Sequence, residues 1–433
     1  MRYFKQSWQV IKQNRLFSGV YIVGTALAIA MVMAYAIVWY VKIAPVSPEV
    51  NRGRTLYMGY LAELTGENSC MSSSMAHPFI ETVFPQDALL PEIECVVEYS
   101  KEDKMIYSQE VPEGIKATVH YTTTDICKVF DYRFLYGAPF TRDDVVTAAK
   151  KIFITKSYAR RLFATEDAVG KTMTLDFDSY TVCGVVKDIS GITPVSYANI
   201  WVPITCMDGY GISNFGELQV LGDLSVIILA RSSKDVIKIK EDVAGKIKQI
   251  NSSLSGVRLE NYGQPDTHFY SIFRRSSNSF PKLKEHFTNI LLMLMALLLV
   301  PAVNLAGIIA SGMEGRLEEL GIRKAFGASR GKLLWQILCE NLLLTLMGGF
   351  LGLFLSYLIV WGATENILQI VNYASDFSLD TNEIFVTPGM LFNPIVFIMT
   401  FLVCLLLNTL AATIPAAISL RKDIIYSLTS DKK

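Results

Sequence analysis

The chain has 433 residues, of which 51% are hydrophobic and only 18% charged, with a mean hydropathy of +0.33. That balance excludes an ordinary soluble globular protein and points to membrane spans. Lysine plus arginine equals aspartate plus glutamate at 40 each, so no global field favours nucleic acid as a partner, and charge must act locally.

Residues 1–15 carry Arg2, Lys5, Lys12 and Arg15 and no acid. Phe4, Trp8 and Ile11 share one helical face there, the pattern of a short interfacial helix or of a cytoplasmic extension of the next segment. Residues 16–41 are the first of four stretches able to cross a hydrocarbon core of about 30 Å, which needs roughly 20 apolar residues. The others are 287–313, 341–364 and 390–420, and the last is long enough to include a turn near Pro394 or Pro415. Ala34-Tyr35-Ala36 imitates a signal-peptidase site, but the run before it is too long for a signal peptide, so the segment reads as a retained anchor. Arginines and lysines set the orientation. They crowd the N-terminus, the segment 314–340 (Arg316, Arg323, Lys324, Arg330, Lys332) and the tail 421–433, which opens Arg421-Lys422. The loop 365–389 has four acids and no base. Both termini are therefore expected in the cytoplasm and the large segment 42–286 outside.

That outer segment reads as mixed α+β, arranged as two small subdomains. "KKIFITKSYARRLF" predicts a strand running into a helix, and "KTMTLDFDSYTVCGVV" two strands about a turn at Asp178-Ser179. "GDLSVIILARSS" predicts a buried strand. In "KDVIKIKEDVAGKIKQI", Val236, Ile239, Val243, Ile247 and Ile250 fall on one helical face. "SCMSSSM" reads as a flexible small-residue loop. Five of the seven cysteines (Cys70, Cys95, Cys127, Cys183, Cys206) lie outside with no CxxC spacing, so free thiols are expected, a Cys70–Cys95 bridge being the conceivable exception.

Signals for chemistry are thin. "TEDAVGKT" imitates a phosphate-binding loop but has Thr165 where the first glycine belongs and runs into strand-like alternation, not a helix. His77, His120, His268 and His286 are scattered without metal-ligand spacing, and no GxSxG occurs. The chain is expected to be no enzyme, with no metal site and no cofactor of its own.

The most informative stretch is "GRLEELGIRKAFGASRGKLL", Gly315 to Leu334, dense in charge between two apolar spans. Arg316, Glu319, Arg323 and Arg330 fall in one helical sector, whereas Leu317, Leu320, Ile322 and Phe326 form two apolar patches that suit a protein groove better than lipid. Gly327-Ala328-Ser329 breaks the helix, with Ser329 placed to cap the next. On periodicity alone, a solvated loop obeying the positive-inside rule fits as well.

This stretch resembles the signature of the FtsX/MacB-like family of ABC transporter permeases. Glu319-Leu320-Gly321-Ile322-Arg323-Lys324-Ala325 and Gly327-Ala328-Ser329 match its run after the second span, as do Glu340 and Gly348-Gly349. "GAPFTRDD", "IFITKSYARRLFATEDAVGKTMTLDFDSYTVCGVVKD" and "NIWVPI" resemble its extracytoplasmic domain, and "IPAAISLRKDIIYSL" its C-terminal end. The region from about 45 to 125 resembles nothing in the pattern, and the ATPase is expected on a separate chain and not as a fused domain. The resemblance implies a membrane helical bundle of four spans in a bacterial inner membrane, with the α+β domain in the periplasm. It implies a permease subunit driven by a separate cytoplasmic ATPase that holds ATP and magnesium, moving the outer domain and not passing substrate between the spans. Arg316, Glu318, Glu319, Arg323 and Lys324 would set register on the ATPase; Leu320, Ile322 and Phe326 would make the buried contact. The further partners implied are a second permease copy or homologue, a periplasmic adaptor and outer-membrane channel, and lipid. Export is the expected task, with control of a cell-wall hydrolase or lipoprotein extraction as alternatives.

Small residues on the spans suit close packing: Gly24 and Ala28 on the first, Ala302, Ala306 and Ala310 on the second, Gly348 and Gly352 on the third. Whether the partner helix lies in the same protomer or another stays open. Asn304 reads as glue between helices, and Glu340 as a residue needing a cationic partner.

Overall fold

The computed structural model describes residues 15–66, 69–191, 193–212, 216–274, 276–314, 322–323, 325–362 and 394–421. In chain order the elements begin with α1 (Arg15–Ile43), β1 (Thr55–Met58), β2 (Leu61–Thr65), β3 (Ser69–Met75), α2 (His77–Val83), β4 (Ile93–Tyr107) and β5 (Ile115–Thr122). Next come α3 (Ile126–Val129), β6 (Phe134–Gly137), α4 (Arg142–Val146), β7 (Lys151–Thr155), α5 (Lys156–Phe163), β8 (Thr172–Leu175), β9 (Asp178–Val186) and β10 (Ile200–Pro203). β11 (Leu221–Gly222), β12 (Ser225–Ala230), α6 (Val236–Ser253), β13 (Val257–Glu260), β14 (Asp266–Thr267) and α7 (His268–Phe273) follow. Three long helices end the described chain: α8 (Leu283–Glu314), α9 (Arg330–Gly362) and α10 (Pro394–Arg421). Two compact units emerge, an α+β unit holding Lys42–Leu283 and a helical unit holding most of α1 with α8, α9 and α10.

The α+β unit is built on a ten-stranded mixed sheet, order β14-β1-β12-β4-β5-β10-β7-β9-β6, with β8 pairing β4 and β9. Period-2 alternation sends successive residues to opposite faces. Leu56, Ile152, Ile154, Ile200, Val202 and Ile228 join one buried cluster, while their neighbours Tyr57, Phe153, Trp201, Ile227 and Leu229 join another. The first face is covered by α2, α5 and α6, the last burying Val236, Ile239, Val243 and Ile247, with Ile250 packed at its edge. The second face is closed by Ile126, Val129, Phe130 and Phe140, with the Phe153 and Trp201 rings stacked at 4.8 Å.

Two expectations need correcting here. "SCMSSSM" is no loop: it is β3, paired with β2 and β11 in a four-stranded sheet ordered β11-β3-β2-β13. Ser72 meets the Ser277 hydroxyl at 2.8 Å and Ser73 donates to the Gly222 carbonyl at 3.1 Å, so the small polar side chains are used by the fold. Leu61, Met75, Leu221 and Leu259 of this sheet enter the same cluster as the first face of the large sheet. The β8–β9 turn falls at Asp176-Phe177, since Leu175 pairs with Asp178. Both turn residues have positive φ, 46° and 70°, as a two-residue type I′ hairpin requires.

Among the described residues three helical segments are long and apolar enough to cross a membrane, Ser18–Ile43, Arg330–Gly362 and Pro394–Ile418. α8 is a further continuous helix of 32 residues. At 33 residues α9 is about 50 Å long, well beyond a hydrocarbon core, and it begins eleven positions before the apolar stretch 341–364 expected from the sequence. α10 starts at Pro394, a residue suited to the first helical turn, and runs through Pro415 without the turn expected there. The expected interfacial helix of 1–15, the loop 365–389 and the tail after Arg421 lie outside the described residues but for Arg15.

Candidate coupling site

Between α8 and α9, Ile322, Arg323 and Ala325 are helical and the helix stops at Gly327. The Ala328 amide donates back to the Arg323 carbonyl at 3.0 Å, and the Phe326 amide to the Ile322 carbonyl at 3.1 Å. Such a bond closed over a left-handed residue is a Schellman cap. Gly327, with φ +85°, is the residue that makes it possible without strain. Ser329 then stands directly before α9, its carbonyl accepting from the Lys332 and Leu333 amides at 3.1 and 3.2 Å. The glycine and serine of the motif thus have local mechanical reasons.

The side chains divide sharply across this elbow. Phe326 is 88% exposed and Ile322 is also exposed. Ala328, Leu333 and Ile337 instead pack with Tyr21 of α1 and with Ala412 and Ala416 of α10. Arg323 Nη1 donates to Gln336 Oε1 of α9 at 2.7 Å, bracing the two sides of the turn. The geometry therefore gives Arg323 a positioning role in its own chain, beside the contact role expected for it. Arg316, Glu318, Glu319, Leu320, Gly321 and Lys324 lie outside the described residues.

Behind the elbow, the glycines of α9 set how closely its neighbours approach. A Cβ at Gly348 would lie 2.9 Å from Thr25 Cβ, and one at Gly352 would lie 2.7 Å from the Ala26 carbonyl. A Cβ at Gly349 would run into the Phe401 ring of α10. The Gly-x-x-x-Gly face thus meets α1 of the same chain, along Ile22, Thr25, Ala26 and Ile29. Gly24 is exposed and Ala28 half-buried; a step of about 100° per residue carries them off that line. Ala302, Ala306 and Ala310 lie on α8, whose Leu294, Leu297 and Leu298 pack on Ile29, Val32 and Met33. Glu340 and Asn341 are both buried on α9.

A second constellation, unmarked by any motif, sits at the start of the α+β unit. Arg52 Nε pairs with Glu49 Oε2 at 2.8 Å, with side chains only 3% and 1% exposed. Arg52 Nη1 also donates to the carbonyls of Ala44, at 2.5 Å, and Lys42, at 3.3 Å. Glu49 Oε1 accepts the Ser196 amide at 3.1 Å, and His268 Nε2 donates to the Lys42 carbonyl at 2.8 Å. Burial pushes the Glu49 carboxyl up, but Arg52, His268 and the Ser196 amide outweigh it and hold it below its usual range. Burial and the Arg52 charge push the His268 imidazole down. At the other end of the unit, Arg274 forms a buried ion pair with Asp266 and donates to the carbonyls of Ser279, at 2.7 Å, and Tyr262, at 3.0 Å. Asp266 lies opposite Tyr57, because β14 pairs with β1. The segment after α1 and the segment before α8 are therefore tied to one pair of strands. An acid three residues before an arginine, just past the first span, is the only trace of this in the sequence.

The family-like motifs of the outer domain also resolve into structure. In "GAPFTRDD", Gly137 has φ +63° and no room for a Cβ, which would sit 2.1 Å from the Cys183 carbonyl. Phe140 is core, and Thr141 with Asp144 forms a capping box at α4. Lys151 and the Thr141 amide hold the Asp144 carboxyl down to about 2. Thr172 of "TEDAVGKT" opens β8, not a helix. All seven cysteines are free, and burial pushes Cys95 and Cys127 up to about 12 and Cys183 to about 11. Among the described residues no group of His, Cys, Asp or Glu could hold a metal ion.

Comparison with known proteins accounts for both units. Residues 18–246 match the model of the MacB-like periplasmic core domain, and 290–424 that of the FtsX-like permease C-terminal region. The uncharacterized ABC transporter permease YknZ of Bacillus subtilis is 26% identical over 60% of this chain and 61% of its own length. The macrolide export ATP-binding/permease protein MacB of Burkholderia cenocepacia is 28% identical over 52% of this chain and 31% of its own. The chain thus covers less than two thirds of either relative. The crystal structure of the periplasmic region of MacB from Actinobacillus actinomycetemcomitans aligns at 16% identity over 48% of this chain and 91% of that one, TM-score 0.33. With matches spanning the α+β unit and the C-terminal helices, the chain belongs to the FtsX-like ABC transporter permeases that carry a MacB-like periplasmic core domain.

Proposed function

We propose that the chain is the membrane subunit of an ABC transporter in which a separate cytoplasmic ATPase, holding ATP and magnesium, moves the periplasmic domain through the spans. In this reading α1, α8, α9 and α10 are four spans of a dimeric permease with both termini in the cytoplasm. The task is export from the periplasm with an adaptor and an outer-membrane channel. One observation carries the reading: a stiff helical elbow presents Phe326 at 88% exposure while its other side is packed into the span bundle. An exposed aromatic on a braced turn is the anatomy of an interface anchor. A solvated topological loop has no need of it.

Phe326→Asp tests it. Losing a central aromatic anchor costs about 2 kcal/mol or more, roughly thirtyfold in Kd. Capture of the cytoplasmic ATPase from membranes, and stimulation of its ATP hydrolysis, should fall by that factor at unchanged permease levels. Undiminished capture and stimulation would refute the coupling role of the elbow. The same capture distinguishes tasks: an adaptor with a channel supports export, whereas a cell-wall hydrolase or an acylated protein in their place refutes it.

A further inference from the structure

The α+β unit contains a cleft of about 660 Å³, lined largely by the motif that runs from Ile152 to Asp188, to which no role has yet been given. It opens at the carboxyl ends of the parallel neighbours β7 and β9, where Thr155 runs into α5 and Val186 into Lys187-Asp188. Crevices outside the carboxyl ends of parallel strands are where open α/β sheets hold ligands, and the volume is that of a small-molecule site. The lining pairs two chemistries. Leu135, Tyr158, Ile189 and Tyr197 supply apolar surface, and Arg133, Lys156, Arg160, Arg161 and Lys187 supply cations.

Most of that charge is already engaged. Lys156 and Arg160 share Glu166, and Arg161 lies over the Tyr158 ring at 4.9 Å. Asp188, the acid of the lining, accepts the Ser157 amide at 2.7 Å and so is committed to the start of α5. Arg133 and Lys187 differ. Among the described residues no carboxylate forms an ion pair with either, yet the Lys187 amide donates to the Arg133 carbonyl at 2.9 Å, fixing the two residues side by side. Like charges held as strand neighbours repel, and an anion between them relieves that repulsion.

We propose that this cleft binds an anionic amphiphile, a phosphate or carboxylate head held by Arg133 and Lys187 with its apolar body over Leu135, Ile189 and the two tyrosines. The site stands apart from ATPase coupling, and its binding is read with no ATPase present. The probe is decyl phosphate carrying a diazirine in its chain, photolysed with the full-length chain in phosphatidylcholine nanodiscs, and the adducts are mapped by mass spectrometry. Adducts are expected on the peptides that carry Leu135, Tyr158 and Ile189. Octyl phosphate should compete them away, while octanol or inorganic phosphate at equal concentration should not. Arg133→Gln with Lys187→Gln should lower labelling there at least tenfold while Cys183 stays unreactive to maleimide, which reports the intact fold. Undiminished labelling in that variant, or equal competition by octanol or by inorganic phosphate, overturns the proposal. Discs containing phosphatidylglycerol locate the source: competition by that lipid assigns the ligand to the bilayer, and its absence assigns it to a soluble amphiphile.

Discussion

Replacing Arg52 with methionine should loosen the whole periplasmic domain. The side chain is 3% exposed and its removal leaves the Glu49 carboxylate, 1% exposed, without its cation. Breaking a buried pair in this way costs about 3–5 kcal/mol, because the remaining charge is neither solvated nor matched. The carbonyls of Lys42 and Ala44 also lose their guanidinium donor. With a urea m-value of about 2–3 kcal/mol/M, the unfolding midpoint should fall by roughly 1–2.5 M. The buried thiol of Cys95 and the half-buried thiols of Cys127 and Cys183 provide the assay. Full-length protein in detergent is pulsed with maleimide at each urea concentration and modification is read per cysteine, with exposed Cys70 as the constant reference. Glu49→Met combined with Arg52→Met removes the stranded charge and should recover most of the loss, since apolar replacement of both partners is often near neutral. A single variant that unfolds within about 0.3 M of wild type, where the same argument expects 1 M or more, would refute the reasoning. A double variant no better than the single would do so too.

Gly352→Leu should destabilise the helical unit by about 1–3 kcal/mol or more, since the added carbon meets the Ala26 carbonyl and not a movable side-chain end. Gly19→Leu, with nothing within 4 Å, is the control, and equal thermal stability of the two in detergent would count against the packing account. The clamp also makes stability depend on pH. His268 is depressed in the folded state and an unfolded histidine titrates near ~6.5, so the unfolded chain takes up the proton first and stability falls as pH drops below about 6.5. His268→Gln, which can still donate to the Lys42 carbonyl, should flatten that slope in urea midpoints between about pH 7.5 and 5.5. His77 acts in the opposite sense, because its hydrogen bond to Glu98 raises its pKa, so that its contribution is present at low pH and lost as pH rises. An unchanged slope in the His268 variant would rule out the clamp as its source.

What the sequence makes legible is what local periodicity controls. The face of α6, the strand–helix step from β7 to α5 and the apolar runs of α1, α9 and α10 all follow from spacing within one segment. β3 is illegible for the converse reason: serines carry little strand preference, and what makes it a strand is pairing with β2 on one side and β11 on the other. The β8–β9 turn shifts by two residues because Phe177 accepts a left-handed conformation that its residue type disfavours. At the elbow, the glycine and serine are legible as a helix break, whereas the Arg323–Gln336 brace depends on how α9 folds back. Nothing local announces that Glu49 will meet the amide of Ser196, 147 positions later, or that His268 will reach Lys42, 226 positions earlier.

That distribution bears on how the proposed function could operate. Force passing along a span reaches the periplasmic domain only through the few residues between helix and sheet, and a slack linker there would dissipate it. After α1 the linker is not slack, since Arg52 and His268 hold the carbonyls of Lys42 and Ala44 and the adjoining β1 is hydrogen-bonded between β12 and β14. Before α8, Arg274 fixes Ser279 to Asp266 of β14. A purely apolar packing of the same residues would avoid the desolvation of two buried ion pairs, but it could slide. A guanidinium fork bound at once to a carboxylate and to backbone carbonyls has a fixed direction. The polar clamps cost stability that apolar side chains would not, and they fix the residues after α1 and before α8 to β1 and β14 of one sheet edge, which is what the proposed function asks of them.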